Sequence, residues 1–150
     1  MNIKLIILRE DKINEIFKIK RTSEKYVGLI EDVLNDFNNI YKAYSDLVGI
    51  YLDDQIIGLV VMTNKPLNGK YSFTDLVIDE TYQRKGYGKL ATNKIIEHFK
   101  NRNESNIIKI EVFNENISAI KCYKKCGFKI TKQCDWNNSF VEMEIVLWLS

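Results

Sequence analysis

The stretch over residues 72–100, SFTDLVIDETYQRKGYGKLATNKIIEHFK, constrains the fold more than any other part of the chain. A short apolar run over 73–78 predicts a strand, and from Leu90 onward Ala91, Ile95 and Phe99 recur at helical spacing. Between them a polar loop ends in Gln83-Arg84-Lys85-Gly86-Tyr87-Gly88. Gly86 and Gly88 carry no Cβ, so the backbone there can approach a ligand closely. The helix that follows presents unpaired N–H groups and the positive end of its dipole to this loop. Arg84, Lys85 and Lys89 add full charge. Together these features predict a phosphate cradle. The plainer reading is a glycine-containing turn with solvated basic residues.

A dinucleotide site competes with that reading. Gly86, Gly88 and Ala91 satisfy G-x-G-x-x-A, and Glu111 follows at about the 20-residue spacing such a site asks for. That motif begins almost at the end of its strand, however, whereas here the loop over 79–85 intervenes and carries basic residues. Strand-like segments also dominate the chain before it, where alternating strands and helices should follow. The dinucleotide reading ranks second.

The 150 residues suit one domain spanning 1–150, and 45% apolar with 28% charged residues is globular composition. A net charge of +2 gives no reason to expect nucleic acid or membrane as a partner. The apolar run over 5–8 is too short for a signal segment, and Arg9-Glu10-Asp11 follows it at once. No stretch approaches membrane-spanning length, so a cytoplasmic protein is expected. Cys122, Cys126 and Cys134 fit no zinc spacing, and His98 is the only histidine. Packing thiols are expected, and no metal.

In order, the pattern predicts a strand over 3–8 and a short helix over 12–20. A second helix, capped by Ser23, would place Tyr26, Val27, Ile30, Val33, Leu34 and Phe37 on one face and Glu24, Glu31, Asp32 and Asp36 on the other. Strands over 48–52 and 55–62 flank Asp53-Asp54, a hairpin signal. The segment 64–70, with Pro66 and Gly69, is a turn. After the central unit come a strand over 107–113, a helix over 116–125 with Gly127 as its cap, and a hairpin of strands over 128–133 and 140–147. This element list is α+β.

The second informative stretch, IIKIEVFNENISAIKCYKKCGF over 107–128, puts Asn116 where a helix N-cap belongs. Tyr123 lies one turn after Ala119 on the same side of that helix. Taken alone, such a tyrosine is more often a packing residue.

Side by side, the two stretches resemble the GNAT superfamily of N-acetyltransferases. The family's pyrophosphate loop, Q/R-x-x-G-x-G/A, is met by Gln83 to Gly88; its second signature, N-x-x-A-(apolar)-x-x-Y followed by Gly-Phe, is met by Asn116, Ala119, Ile120, Tyr123, Gly127 and Phe128. The resemblance implies a three-layer α/β/α fold, with a mixed, mostly antiparallel sheet splayed beside the central strand. It implies acetyl-CoA as co-substrate, its pyrophosphate on the N–H groups of Arg84, Lys85, Gly86, Tyr87, Gly88 and Lys89. The backbone of Leu76, Val77 and Ile78 would pair with the pantetheine arm, Asn116 and Ala119 would contact the coenzyme, and Tyr123 would protonate the departing thiolate.

A primary amine near pKa ~10 must lose a proton before it attacks, and Asp75 and Glu111 are the candidate bases, acting directly or through water. In diamine acetyltransferases of the superfamily an acidic residue at the position of Asp75 meets the polyamine. A small cationic amine or polyamine is therefore the expected acceptor. Peptide N-termini, protein lysines and aminoglycosides stay open as acceptors, as does a coenzyme-binding sensor without activity. Oligomeric state is open too, although the C-terminal strand could pair across a homodimer.

Overall fold

Residues 56–62 are apolar throughout apart from Gly58, and such a run suits a strand buried on both faces. The computed structural model, which describes residues 2–21 and 25–148, bears this out. β3 (Gln55–Thr63) is buried from Ile56 to its end. It lies between β2 (Ser45–Leu52) and β4 (Phe73–Ile78), with β1 (Ile3–Ile7) beyond β2, and all four strands are antiparallel. Side chains alternate across this sheet. Ile57, Val60 and Met62 join a core shared with α2 (Tyr87–Arg102) and α3 (Ile117–Lys125). Ile56, Leu59 and Val61 join a second core under α1 (Ile30–Asp36) and the preceding helical turns. The sheet is thus the middle of three layers, as expected.

A second sheet holds β5 (Ile107–Phe113), β7 (Phe140–Val146) and β6 (Lys129–Gln133), with β7 central and antiparallel to both neighbours. One parallel bridge joins the two sheets, between Tyr71 and Ile108. Tyr71 N–H donates to the Ile107 carbonyl at 3.0 Å, and Lys109 N–H to the Tyr71 carbonyl at 2.9 Å. Beyond that point β4 and β5 share no ladder, so the sheet splits into a cleft. The Tyr71 ring, fully buried, stacks on Phe99 of α2 at 4.3 Å, and its hydroxyl accepts the Glu104 N–H at 2.9 Å. Phe73, Tyr123 and Phe128 meet edge to face at 5.8–6.1 Å where the strands part, a wedge of three rings between the two sheets.

Within β4 the register slips. Thr74 faces Val61 and Val77 faces Leu59, so Asp75 and Leu76 together stand opposite Val60. Asp75 adopts a left-handed φ of 57°. This is a β-bulge, which bends the strand and leaves a residue out of the ladder.

Several sequence expectations need correcting. The residues over 12–20 form a 3₁₀ helix, Glu10–Lys18, that starts and ends earlier than the pattern suggests. The second helix begins only at Ile30; Tyr26 and Val27 lie in the bends before it, where both line the cleft, and the apolar face read through them joins two different environments. Ser23 and Glu24 fall outside the described residues. The same helix ends in a π-turn, Phe37–Tyr41, which the period-3.6 pattern did not anticipate. The central helix starts at Tyr87, three residues before its first apolar repeat.

Because Tyr71 holds the base of the split, we expect Tyr71→Phe to keep the ring stack and leave the Glu104 N–H without its partner. The cost should be about 1–2 kcal/mol. Urea denaturation should show a lower midpoint at unchanged slope; an unchanged midpoint would remove this hydroxyl from the account of the hinge.

Candidate active site

Gly86, whose φ of 86° suits glycine, is the N-cap of α2, and no side chain caps the helix. The early amides of a helix lack intrahelical acceptors, and Gly88 among them lines a cavity of about 510 Å³. A Cβ built on Gly86 or Gly88 would meet nothing within 4 Å, so each position faces open space. Arg84, in a left-handed turn at φ 62°, lines the same cavity. Lys85 and Lys89 are exposed. The Tyr87 ring is buried, edge-on to Tyr82 at 5.9 Å. The Gln83 side chain donates to the Ile78 carbonyl at 2.8 Å and so ties the loop back to the end of β4.

Leu76, Val77 and Ile78 form one wall of this cavity, and Asn116, Ala119 and Tyr123 the opposite one. β4 ends its sheet on that side, so its backbone groups facing the split have no strand partner. Asn116 caps α3, its Oδ1 accepting the Ala119 N–H at 3.2 Å. These features fit a ligand with a pyrophosphate at the helix start and amides along the strand edge, as an acyl coenzyme A would have.

The cavity narrows at Tyr123 and continues into a smaller space of about 130 Å³, lined by both Asp75 and Glu111. The structure therefore brings the sequence-derived candidates together: Tyr123, Asp75 and Glu111 share one space. Beyond it lies a third cavity of about 470 Å³ on the far side of the split, which Phe73, Thr74 and Glu111 also line. Tyr41, Tyr44 and Glu142, which sequence reasoning passed over, stand in this third cavity. The π-turn that delivers Tyr41 has no periodicity signal, and Glu142 reads as an ordinary alternating strand residue.

The electrostatics differ from end to end. Burial raises the Asp75 carboxyl above its usual range, the Asp36 charge raises it further, and Arg21 pulls it down. Of the predicted acidic face, Asp36 is the residue that acts on Asp75, while Asp32 accepts the Leu29 N–H. Burial and then the Asp75 charge push the Tyr41 phenol up. Glu111 and Glu142 are direct cross-strand partners on β5 and β7, an arrangement that like charges disfavour. Glu111 Oε2 accepts both the Trp136 indole N–H at 2.5 Å and the Cys134 thiol at 3.3 Å. Tyr123 is buried, which drives its phenol well up, and its hydroxyl has no hydrogen-bond partner among the described residues. Cys122 and Cys126 lie side by side on α3, and Cys126 donates to the Lys89 carbonyl at 3.8 Å.

A family model described as the acetyltransferase (GNAT) family matches residues 12–128. A spermine/spermidine N(1)-acetyltransferase of Bacillus subtilis (strain 168) is 30% identical over 104 residues, covering 65% of this chain and 68% of that enzyme. Among solved structures, a spermidine N-acetyltransferase from Vibrio cholerae in complex with CoA and spermine superposes with a TM-score of 0.73 at 18% identity, over 97% of this chain and 95% of that one. An aminoglycoside acetyltransferase in complex with coenzyme A gives a TM-score of 0.80 at 16% identity, over 97% and 95%.

Two outcomes are expected from this geometry. Gly88→Val places a side chain in the open space of the cavity without backbone strain, so acetyl-CoA affinity by calorimetry should fall while the melting temperature holds. A folded Gly88→Val protein with native affinity would end the cradle reading. The second outcome concerns Asp75, whose raised pKa means that the folded state binds its proton more tightly than the unfolded state does. Its protonated form therefore adds stability at low pH, lost as pH rises through the folded value. Asp75→Asn should accordingly be more stable than the native protein at pH 7, with the advantage shrinking toward pH 4. Equal denaturation midpoints at pH 7 would show that burial imposes no cost on this carboxylate.

Proposed function

The chain belongs to the acetyltransferase (GNAT) family, and from that premise we propose that it acetylates a primary amine of a small cationic acceptor, a polyamine foremost, with Tyr123 as general acid. The observation that carries this reading is the pair of adjoining cavities in the split, basic at the helix start and lined by Asp75 and Glu111 beside Tyr123. The polyamine substrates in the names of the relatives support the acceptor class.

Acetyl-CoA supplies an activated thioester carbonyl. The amides at the start of α2 hold the pyrophosphate, and the unpaired inner edge of β4 hydrogen-bonds the pantetheine arm. One N–H freed near the bulge polarises the thioester oxygen as a small oxyanion hole. Tyr123 gives its proton to the departing sulfur. In water that transfer, from a phenol near pKa ~10 to a thiolate near ~8.5, is uphill by about 2 kcal/mol. Burial raises the Tyr123 phenol, but the same apolar walls destabilise the thiolate, so the gap between the two need not widen.

Asp75 pairs with an ammonium of the acceptor, and the proton of the attacking nitrogen leaves to a carboxylate of the split, Asp75 or Glu111, directly or through water. Between recognition and base, recognition is the role we favour for Asp75. A water-relayed base can be supplied from several places, whereas a second ammonium needs a fixed carboxylate.

Tyr123→Phe keeps the three-ring wedge and deletes the acid. Turnover should fall on the order of 10²–10⁴-fold with acetyl-CoA affinity nearly unchanged. Native turnover at every pH would assign the proton to water. Asp75→Asn should raise the Michaelis constant for a diamine more than for a monoamine. As a base, Asp75 would instead show lower turnover and a flattened alkaline limb in the variant. A thiol-release assay over monoamines, polyamines, aminoglycosides and peptides measures all of this, and equal monoamine and polyamine kinetics in Asp75→Asn with an unaltered pH profile would discard both roles.

A further inference from the structure

β1 reads Ile-Lys-Leu-Ile-Ile and ends its sheet, with β2 on one side and, among the described residues, no strand on the other. Backbone groups alternate in direction along such a strand. The Leu8 N–H donates to the Leu47 carbonyl and the Asn2 carbonyl accepts the Asp53 N–H, so the even-numbered residues bond to β2. The N–H and C=O groups of Ile3, Leu5 and Ile7 therefore point outward.

Proteins blunt such edges with lysine, proline, a bulge or a covering element. The other edges in this chain are blunted in these ways. β6 carries Lys129 and Lys132 among five residues and pairs with β7 through a register shift. The inner edges of β4 and β5 face each other across the split. β7, the C-terminal strand, has a neighbour on each side and no edge to offer. β1 pairs with β2 without a shift, holds no proline and has a single lysine, Lys4. Its Ile6 and Ile7 are 40% and 37% exposed.

A groove runs beside this edge. α2 lines it with a stripe at helical spacing, Leu90, Asn93, Lys94, Glu97, His98 and Asn101, along adjoining cavities of about 160 and 340 Å³. Lys94 and Glu97 lie 3.8 Å apart, and burial pushes His98 toward its neutral form. The stripe thus carries no net charge and can approach a copy of itself.

We propose that β1 pairs antiparallel with β1 of a second copy of this chain, across a two-fold axis at Leu5, joining two four-stranded sheets into one. An axis there uses all three outward residues: Ile3 meets the partner's Ile7, Leu5 the partner's Leu5, and Ile7 the partner's Ile3. The same register sets Ile6 opposite the partner's Lys4, whose alkyl stem covers it while the ammonium reaches water. Ile3 and Leu5 belong to the core on the α2 side, so partner side chains of the same parity enter the groove. A contact of this symmetry closes on itself, which is how an apolar edge stays exposed in the chain without seeding a fibre. The split lies at β4, the opposite edge of the same sheet, so both clefts stay open in the pair.

Sedimentation equilibrium tests the pairing, because the register dictates what charges at one exposed position do. Ile6→Lys sets two lysines opposite each other twice per dimer, and the dimer dissociation constant should rise roughly tenfold or more. Adding Lys4→Glu to that variant puts opposite charges in the same places, and the constant should return to within about threefold of native. Ile7→Pro deletes an outward N–H and no ladder bond, so it should give a folded monomer by a route independent of charge; it also serves if Ile6→Lys does not fold. Turnover per subunit should be unchanged in each variant. Hydrogen exchange gives a second readout: the Ile3, Leu5 and Ile7 amides should exchange slowly in the concentrated native protein and fast in Ile6→Lys. A native protein that is monomeric at every concentration overturns the proposal. So does a dimer that neither Ile6→Lys nor Ile7→Pro weakens, or one that Lys4→Glu fails to restore.

Discussion

The cleft depends on one parallel bridge. Tyr71 and Ile108 are paired through two backbone hydrogen bonds, and past them β4 and β5 go separate ways. A continued ladder would have satisfied the backbone of both strands and closed the site. The split is kept open by bulk, because Phe73, Tyr123 and Phe128 pack edge to face where strand pairing would otherwise proceed. It is kept from opening further by the fixed base: the Tyr71 ring on Phe99, the Ser105 hydroxyl donating to the Gly69 carbonyl at 2.6 Å, and the Lys70–Glu144 pair. Edge strands are normally a liability that proteins cover or blunt. Here an unpaired edge is enclosed within the molecule, which makes it a binding surface for an extended ligand instead of an aggregation hazard.

One consequence falls on Tyr123. It is part of the wedge and lines both cavities that meet at the narrowing. Its place in the wedge and its proposed role as general acid therefore coincide: the first asks for a large aromatic ring, the second for a hydroxyl at the junction. Phenylalanine would satisfy the first demand and not the second. The burial that makes the wedge also raises the phenol, so packing and acidity at this residue cannot be adjusted independently.

The half of the cleft at the starts of α2 and α3, the proposed donor side, was legible in the sequence because its determinants are local. The glycine loop, the Asn116 cap and the Ala119–Tyr123 spacing are each set by a helix start or a helix face, and such signals survive in a one-dimensional pattern. The acceptor half was not. Tyr41 arrives by a π-turn, Tyr26 and Val27 by bends that a helical pattern had absorbed, and Glu142 by pairing of β7 with β5. No residue in those segments announces its neighbour across the sheet. Asp75 was found because it sits on the central strand, but its coupling to Asp36 and Arg21 is a tertiary fact. The misplaced second helix shows the same limit: Tyr26 and Val27 line the cleft, Val27 also packing on the core under α1, and the pattern could not tell bends there from a helix face.

Asp75 also links the two halves through its backbone. Its left-handed conformation is uncommon for a residue with a side chain, although aspartate tolerates it better than most, at about 1–2 kcal/mol. The bulge this creates has two effects at once. It removes one residue from the β3–β4 register, so that Leu76 and Asp75 together face Val60, and it reorients the strand at the point where the coenzyme arm is proposed to lie against it. It also places the carboxylate in the narrow space that Tyr123 lines. An unbulged β4 would keep strict alternation, and a one-residue change of register would send Asp75 to the other face of the sheet. The strained backbone at this position is thus what lets a single short strand present its backbone edge to one cavity and the Asp75 carboxylate to the next.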